Sequence, residues 1–313
     1  MGKFFKPRFL IFFLFLIIVS GCQKSKKSFE GTSMTMHYKV IMGEKITKNQ
    51  TILVKQGIEK IFNEINNIFN NWNPNSEISK INKKATNKEI LVSPQLINFL
   101  VYVDTLFELT NGRFDPTISP LKKLWISHLK QLSIPKNEEI NNVKDYVGWK
   151  KIIILPKTSS IIKTHPKIEL DLCGIIKGHA VDLISSLLKN LNINNFYVEW
   201  GGEIKLSGQY FSKRPWKIGL LYPRKTLSIT NQSIATSGNY IQKWRVLEKS
   251  YTHIINPITY SPLEVKAELI SSVTVIHASC SYADAIATAL MTFSSKNEAF
   301  DWIQKNNIKA FIN

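Results

Sequence analysis

Residues 171–182 read Asp171-Leu172-Cys173-Gly174-Ile175-Ile176-Lys177-Gly178-His179-Ala180-Val181-Asp182, and the rest of this 313-residue chain is organised around them. Apolar and polar side chains alternate from 168 to 172, which predicts a short strand. Beyond the stretch, apolar residues recur at steps of three and four, which predicts a helix with one buried face. Those residues are Ala180, Val181, Ile184, Leu187, Leu188 and Leu191.

A glycine-bearing turn separates the predicted strand from the helix. Backbone amides at the start of a helix, together with the helix dipole, can hold a phosphate group, and Lys177 adds a positive charge there. A plain strand-to-helix turn with a surface lysine is the alternative, because a short glycine motif is a weak signal. The turn is therefore a candidate phosphate site.

A second landmark is the alanine-rich segment from Tyr282 to Phe293, which is predicted to be helical. Asp284 and Thr288 are four residues apart, so they project from one helix face. A carboxylate and a hydroxyl are hard oxygen ligands that suit Mg²⁺, an ion that completes its shell with water and phosphate. In the alternative interpretation, Asp284 is a first-turn acid stabilised by the helix dipole and Thr288 faces the core.

Further short motifs follow one another along the chain in a fixed order. They are Gly31-Thr32-Ser33-Met34, Trp72-Asn73-Pro74-Asn75-Ser76-Glu77-Ile78-Ser79-Lys80-Ile81-Asn82, Gly112-Arg113-Phe114-Asp115-Pro116-Thr117, Glu199-Trp200-Gly201-Gly202-Glu203, Ala235-Thr236-Ser237-Gly238-Asn239-Tyr240, Thr252-His253-Ile254-Ile255-Asn256-Pro257 and Ala283-Asp284-Ala285-Ile286-Ala287-Thr288. With the opening stretch, they resemble the ApbE family, the FAD:protein FMN transferases. The resemblance runs from Gly31 nearly to the C-terminus.

The mixture of helical and alternating segments predicts an α+β fold. Helices are expected from 52 to 72, from a Ser93 cap to Thr110, and from 121 to 129, and strands are expected at 34–41, 152–155, 160–163, 196–199, 204–207, 216–221, 228–231 and 272–277. The family resemblance implies the same α+β class. It implies mixed, mostly antiparallel sheets with packed helices, in two tightly joined halves with the flavin site in the cleft between them.

Residues 1–21 have the features of a lipoprotein signal peptide. A basic start precedes an apolar run from 9 to 19, which is short for a membrane span and typical of an export signal. Val19-Ser20-Gly21 before Cys22 looks like a bacterial lipobox, in which Cys22 becomes the lipidated first residue. An anchor helix with an incidental cysteine is the alternative. We expect a lipidated tether at 22–30, a folded domain at 31–313, and anchoring to a bacterial membrane, facing the periplasm or exterior.

The formal charge of +18 does not by itself indicate a nucleic-acid partner. The lysines are spread among asparagines and isoleucines, with no basic cluster alternating with aromatic residues, so no nucleic acid is expected. Besides Cys22, the chain has only Cys173 and Cys280, so no disulfide framework supports the fold.

The family resemblance also implies which residues bind the ligands. For Mg²⁺ it implies Asp284, Thr288 and a main-chain carbonyl that corresponds to Ile176. For flavin it implies Met34, Trp72, Arg113, Phe114, Asp115, Cys173, Lys177, His179 and the backbone near Ile255. Trp72 and Phe114 offer flat faces for ring stacking, with core packing as the alternative. Asp115 can accept hydrogen bonds from a ring edge or a ribose, or it can belong to a plain turn.

His253 is the candidate general base, because histidine titrates near neutrality and a hydroxyl nucleophile needs a base within reach. Two positions nearby depart from the family pattern, which usually has aspartate at Asn256 and glycine at Tyr260. Losing a carboxylate close to His253 would lower its basicity. Tyr260 must avoid a positive φ or strain its turn.

The resemblance implies Mg²⁺-dependent transfer of FMN from FAD to a threonine or serine hydroxyl of a target flavoprotein, with release of AMP. The implied partners are exported or membrane-bound flavoproteins, such as subunits of respiratory complexes. One alternative is a Mg²⁺-dependent FAD pyrophosphatase that produces FMN and AMP. The other is a lipoprotein that binds flavin without catalysis.

Overall fold

The computed structural model of the chain describes residues 27–221, 223–240 and 242–313. Its α-helices are α1 (Lys48–Ile68), α2 (Glu77–Lys83), α3 (Pro94–Leu109), α4 (Ser119–Lys130), α5 (Asn137–Lys144), α6 (Ile176–Asn190), α7 (Cys280–Leu290) and α8 (Lys296–Lys305). The predicted signal peptide and Cys22 lie outside the described residues.

The strands are β1 (Ser28–Ser33), β2 (Met36–Met42), β3 (Glu89–Leu91), β4 (Ile152–Leu155), β5 (Ser160–Lys163), β6 (Phe196–Trp200), β7 (Glu203–Ser207), β8 (Trp216–Leu220), β9 (Lys225–Ile229), β10 (Ser233–Gly238), β11 (Lys243–Val246), β12 (Lys249–Asn256), β13 (Ser261–Glu264), β14 (Ser272–His277) and β15 (Lys309–Ile312). All of the pairings between these described strands are antiparallel. The predicted α+β class is confirmed.

A seven-stranded sheet in the order β1-β2-β6-β7-β10-β14-β15 forms the centre of the fold. Strand β1 begins at Ser28, inside the segment predicted to be a tether up to residue 30. The reason is pairing, because Ser28 is opposite Ile41 and continues the β1–β2 ladder. The first and last strands of the described residues, β1 and β15, therefore form the two edges of this sheet.

Helices α6 and α7 pack on each other and on this sheet, α6 against β6 and β7 and α7 against β10 and β14. The helix predicted after the opening stretch is confirmed as α6, and Ala180, Val181, Ile184 and Leu188 on its inner face are buried. A Cβ on Gly178 would lie 2.4 Å from the carbonyl oxygen of Cys280. Only glycine permits this close approach of α6 to α7.

The strand predicted at 168–172 is wrong. Its alternation is real, since Ile168, Leu170 and Leu172 are fully buried. The backbone of Leu170, however, pairs with side chains: its amide donates to Asn82 Oδ1 at 2.7 Å, and its carbonyl accepts from Asn82 Nδ2 and Asn71 Nδ2. Asparagine amides here take the place of a neighbouring strand.

Helix α1 also ends before the predicted residue 72. Its end at Ile68 is followed by asparagine side chains that bond back to the helix: Asn70 Nδ2 donates to Asn66 Oδ1, and Asn73 Nδ2 donates to the Asn66 carbonyl at 3.0 Å. These bonds replace the next helical turn. The strand predicted at 228–231 likewise lies earlier, at Lys225–Ile229, where it pairs with β8.

The second half of the fold consists of α4 packed on the three-stranded sheet β11-β12-β13. Trp125 of α4 is buried in this contact, and its indole nitrogen donates to the carbonyl of Tyr260 at 2.8 Å. Tyr260 has φ 58°, a left-handed conformation. The sequence analysis predicted that tyrosine would strain the turn in this conformation, because the family usually has glycine at this position. This half presents β12 to the cleft.

Within residues 27–221, 223–240 and 242–313, no helix combines the length and the apolar character that a bilayer crossing requires.

Candidate active site

A cavity of about 390 Å³ lies between the α6–α7 pair and strand β12. Its walls come from both halves of the fold, so residues distant in sequence meet here. They include Arg113, Phe114, Asp115, Lys122, Asp171, Cys173, Gly174, Lys177, Thr236, Ser237, His253, Ile255, Asp284 and Thr288.

Asp284 and Thr288 both line this cavity from α7. Asp284 is the fifth residue of the helix and is 2% exposed, so it is not the first-turn acid of the alternative interpretation. The Thr288 hydroxyl lies 3.5 Å from the carbonyl oxygen of Gly174 and 3.3 Å from the Ser237 hydroxyl. A Cβ on Gly174 would lie 3.2 Å from the Thr288 oxygen, so the missing side chain leaves room at this point.

The Asp284 carboxylate belongs to a buried charge cluster with Lys177 and Glu203. The Lys177 ammonium pairs with Glu203 Oε1 and lies 3.7 Å from Asp284 Oδ1. Glu203 is 1% exposed, and burial raises its pKa to about 8. Burial also raises the pKa of Asp284, against the opposing effect of Lys177. Two buried carboxylates thus share one positive charge.

The sequence predicts that backbone amides at the start of α6 bind phosphate, but two of these amides already have hydrogen-bond partners within the chain. The amide of Gly178 donates to Asp284 Oδ2 at 3.1 Å, and the amide of Ile176 donates to the Leu172 carbonyl at 3.0 Å. Ile176 is also the first residue of the helix. The carbonyl that accepts from the Thr288 hydroxyl is that of Gly174, two residues before the position implied by the family resemblance.

The residues at this end of the cavity fit a hard cation such as Mg²⁺. Among the described residues, no three His, Cys, Asp or Glu side chains cluster as a ligand set. The site instead offers one carboxylate, the Thr288 hydroxyl and the Gly174 carbonyl, which are oxygen donors. Glu203 Oε2 is buried with no hydrogen-bond partner in the described structure. The unpaired Glu203 oxygen and the other oxygen donors both favour an added cation.

His253 lines the opposite wall of the same cavity, on β12. Its Nδ1 atom is buried and has no hydrogen-bond partner in the part of the chain described. Burial lowers the pKa of His253, and the positive charge of Lys122 lowers it further. A neutral ring with one nitrogen unpaired can accept a proton.

The side chain of Asn256 is hydrogen-bonded to the surrounding backbone. Its Nδ2 donates to the Thr292 carbonyl at 2.9 Å, and its Oδ1 accepts the amides of Ile258 at 2.9 Å and Thr259 at 3.3 Å. An aspartate here would place a carboxylate oxygen against the Thr292 carbonyl. Asn256 therefore holds the turn that follows β12.

Three predicted flavin residues form the segment between α3 and α4. Phe114 is 4% exposed and packs at the cavity wall. Arg113 donates to the Thr292 carbonyl at 3.0 Å and to Glu298 Oε1 at 2.6 Å. Asp115 accepts from the Thr117 amide at 2.8 Å and from Trp149 N at 3.2 Å, so the turn interpretation describes its carboxylate in this structure.

Other predicted flavin residues lie apart from this cavity. Trp72 is 84% exposed, which rules out core packing, and it lines an adjoining cavity of about 740 Å³. The two cavities share Lys122, Asp171 and Cys173. Met34 packs partly buried against the main core.

His179 is half-buried against aromatic side chains and does not line this cavity. Its ring centroid lies 4.3 Å from that of Phe99 and 5.7 Å from that of Phe69. Burial lowers the pKa of His179 to about 4, so the ring is neutral at pH 7. These ring contacts join α6 to Phe69 and Phe99.

Lys122 is a cleft residue that no sequence motif indicated. It lies on α4, and its ammonium is 3.2 Å from Asp171 Oδ2. Although burial opposes the effect, Lys122 holds the pKa of Asp171 below its usual value. The only sequence signal was Asp171 at the head of the opening stretch. Its partner 49 residues earlier carries no pattern.

Residues 31–312 match the model of the ApbE family. The chain is 46% identical over 314 residues to the FAD:protein FMN transferase of Chlamydia muridarum, covering 100% of this chain and 98% of that protein. It is 44% identical to the FAD:protein FMN transferase of Chlamydia pneumoniae, with 96% of each chain covered.

Solved structures of ApbE proteins have a similar fold. Flavin transferase ApbE from Vibrio cholerae is 27% identical with a TM-score of 0.78, covering 92% of this chain and 93% of that one. The ApbE protein from Thermotoga maritima is 25% identical with a TM-score of 0.79, covering 92% and 94%. The resemblance predicted from the sequence motifs is confirmed.

Proposed function

The chain belongs to the ApbE family of enzymes, and we propose that it transfers FMN from FAD to a hydroxyl group of a partner protein. The observation that carries the proposal is that one cavity holds the oxygen cluster around Asp284 and Thr288 on one wall and His253 on the other. The oxygen cluster suits a diphosphate with its counter-cation. His253 suits activation of a hydroxyl.

The proposed cation site consists of Asp284, Thr288 and the Gly174 carbonyl. When bound there, Mg²⁺ would neutralise the charge that develops on the phosphate oxygens. A carboxylate, Asp284, already accepts the Gly178 amide at the start of α6. The diphosphate is therefore expected beside the Asp284–Lys177 group rather than directly on the helix terminus.

In the proposed reaction, a threonine or serine oxygen of the partner attacks the phosphorus on the riboflavin side of FAD. The bond from that phosphorus to the bridging oxygen breaks, and AMP leaves with the bridging oxygen. His253 accepts the proton of the attacking hydroxyl, so the new phosphoester joins FMN to the partner. Lys177 lies close enough to the Asp284 carboxylate to stabilise added negative charge nearby.

The adjoining cavities of about 390 and 740 Å³ offer room for a two-part ligand such as FAD. Trp72 at the larger cavity has an exposed indole face for stacking on a ring system. We assign the larger cavity to a ring-bearing end of FAD and the smaller one to its diphosphate.

The test is incubation with FAD, Mg²⁺ and a flavin-acceptor domain, followed by intact-mass measurement of the acceptor and chromatography of the nucleotides. We expect the acceptor to gain the mass of FMN less one water, with an equal amount of AMP. An acceptor whose target threonine is replaced by valine is the matched control. Free FMN and AMP with an unmodified acceptor would indicate an FAD pyrophosphatase, and bound FAD without products would indicate a flavin carrier.

We also propose that the chain acts at a membrane surface, through lipid on Cys22. The support is the Val19-Ser20-Gly21-Cys22 sequence after a short apolar run. Multiple acyl chains hold a soluble domain stably on a bilayer, where an enzyme meets membrane-bound flavoproteins. Membrane fractionation of the full chain and of Cys22→Ser tests this: equal retention after signal cleavage contradicts it.

A further inference from the structure

Asp182 lies on α6 but pairs with the first turn of α7. Its Oδ1 accepts the amide of Cys280 at 3.0 Å, and its Oδ2 accepts the amide of Ser281 at 2.9 Å. The hydroxyls of Ser281 and Ser279 donate to Oδ2 at 2.7 and 2.9 Å. The early amides of a helix have no partner inside it. A carboxylate from one helix therefore caps the next.

Lys205 holds the same carboxylate from strand β7. Its ammonium lies 2.6 Å from Asp182 Oδ1 and donates to the Ala278 carbonyl at 2.8 Å. Although burial alone would raise the pKa of Asp182, Lys205 and the amides of α7 hold it below its usual value. The group is thus a charged carboxylate at a helix N-terminus, where the helix dipole stabilises negative charge.

Gly178 makes a second contact with α7, one helical turn before Asp182. Its missing side chain lets the α6 backbone approach the carbonyl of Cys280, and its amide donates to Asp284 Oδ2 at 3.1 Å. One contact would locate the end of α7 and leave the helix able to turn. Two contacts along α6 fix both its axial position and its rotation.

We propose that Asp182 is a positioning residue for the cation site. Asp284 and Thr288 lie about one and two turns beyond the capped end of α7, so a rotation that the cap prevents would move both oxygens away from Gly174. The inference rests on the proposed function, because it takes these oxygens as Mg²⁺ ligands. Asp182 itself binds no ion, since its oxygens already accept from five donors.

The test is Asp182→Asn, measured by calorimetric titration with Mg²⁺ alone. The amide keeps the shape of the side chain, but it removes the charge and turns an acceptor into a donor facing other donors. We expect the Kd for Mg²⁺ to rise by about tenfold to a hundredfold, the usual effect of losing a group that orients metal ligands. At saturating Mg²⁺, most of the transfer rate should return, because no reacting group has been removed.

Glu44→Gln is the matched control. Glu44 holds the backbone amides of Asn194 and Asn195 at 2.6 and 3.0 Å, a similar arrangement outside the cleft. This variant should lose stability and keep the Mg²⁺ affinity of the wild type. Unchanged Mg²⁺ affinity in Asp182→Asn overturns the inference and leaves the proposed function standing. Absence of Mg²⁺ binding in the wild type overturns the cation site and the inference together.

Ser281→Ala serves if Asp182→Asn does not fold. It removes one of the donors to Asp182 and leaves the carboxylate and its charge in place. We expect the Kd for Mg²⁺ to rise by about threefold, in line with the net contribution of one hydrogen bond. Wild-type Mg²⁺ affinity in a folded Ser281→Ala protein also overturns the inference.

Discussion

The two walls of the cleft differ in how completely their polar groups are paired within the chain. On the α6–α7 wall, Asp284 contacts both the Gly178 amide and Lys177, and the capped end of α7 is tied to α6. On the β12 wall, His253 has an unpaired Nδ1 among the described residues, and Asn256 turns away to bond the backbone. The α6–α7 wall is pre-organised, whereas on the β12 wall the His253 ring has a hydrogen bond with the backbone of Gln242 and, among the described residues, no carboxylate partner.

This difference suggests a division of labour between the enzyme and its partner. The groups that we propose to bind the diphosphate and its cation are held in place before any ligand arrives, which lowers the cost of ordering them. Among the described residues, the proposed proton acceptor His253 lacks the carboxylate that commonly orients a catalytic imidazole. We therefore expect the incoming hydroxyl and its surroundings to complete the β12 wall.

The largest effect should come from Asp284→Ala, on the pre-organised wall. We expect transfer to fall by about a thousandfold, because a bound cation stabilises the transition state by several kcal/mol. Without ligands, the melting temperature of Asp284→Ala should be at least that of the wild type, because removing one of two buried carboxylates relieves their repulsion. Mass measurement of the acceptor and a melting curve check both.

Asp301→Ala, at an exposed acid of α8, is the control for that change. It should leave transfer unaltered. Wild-type transfer by Asp284→Ala would remove the basis for treating the two walls differently.

His253→Ala should have a smaller effect. We expect transfer at saturating FAD to fall by about a hundredfold, the lower end for a general base, because a backbone group of Gln242 rather than a carboxylate orients the ring. FAD affinity should be nearly unchanged. Rapid-mixing kinetics with equilibrium FAD titration separates the two effects. A loss of FAD affinity with an intact rate would make His253 a binding residue.

Asn256→Asp tests whether a carboxylate would complete the β12 wall. Because the Asn256 amide donates to the Thr292 carbonyl, the aspartate should lower the free energy of unfolding by about 1–3 kcal/mol. Chemical denaturation measures this, with Asn63→Asp at an exposed position of α1 as the control. Unchanged stability together with a shifted pH profile would show that the new carboxylate reaches His253.

The smallest effect should come from Lys122→Gln. A base works when deprotonated, so activity rises with pH through the pKa of His253, which lies below its ordinary value of 6.5. Removing the positive charge of Lys122 makes the protonated ring easier to form, so the midpoint should move to higher pH by less than about one unit. The measurement is the pH profile of transfer at saturating FAD.

Lys123→Gln, at the neighbouring lysine whose side chain is 67% exposed, should leave that midpoint in place. Equal midpoints in Lys122→Gln and the wild type would mean that Lys122 does not influence the reacting base.

Local patterns predicted α6 and the shared face of Asp284 and Thr288, because periodicity and spacing act within a single helix. They failed where a distant side chain supplies the partner. The false strand at 168–172 is one case, since Asn82 pairs with Leu170 across 88 residues. Lys163 is another: it is fully buried, and its ammonium donates to the carbonyls of Ile81, Pro166 and Ile168. Nothing in the residues around it indicates such a cage.

The position of β1 at one edge of the central sheet limits how a lipid-bound form can move. Only six peptide steps separate Cys22 from Ser28, the first residue of β1, and an extended chain spans at most about 3.6 Å per residue. A lipid on Cys22 would thus keep this sheet edge within about 20 Å of the bilayer surface. The domain would pivot about that edge, and its cleft would reach acceptors only within a shallow layer above the membrane.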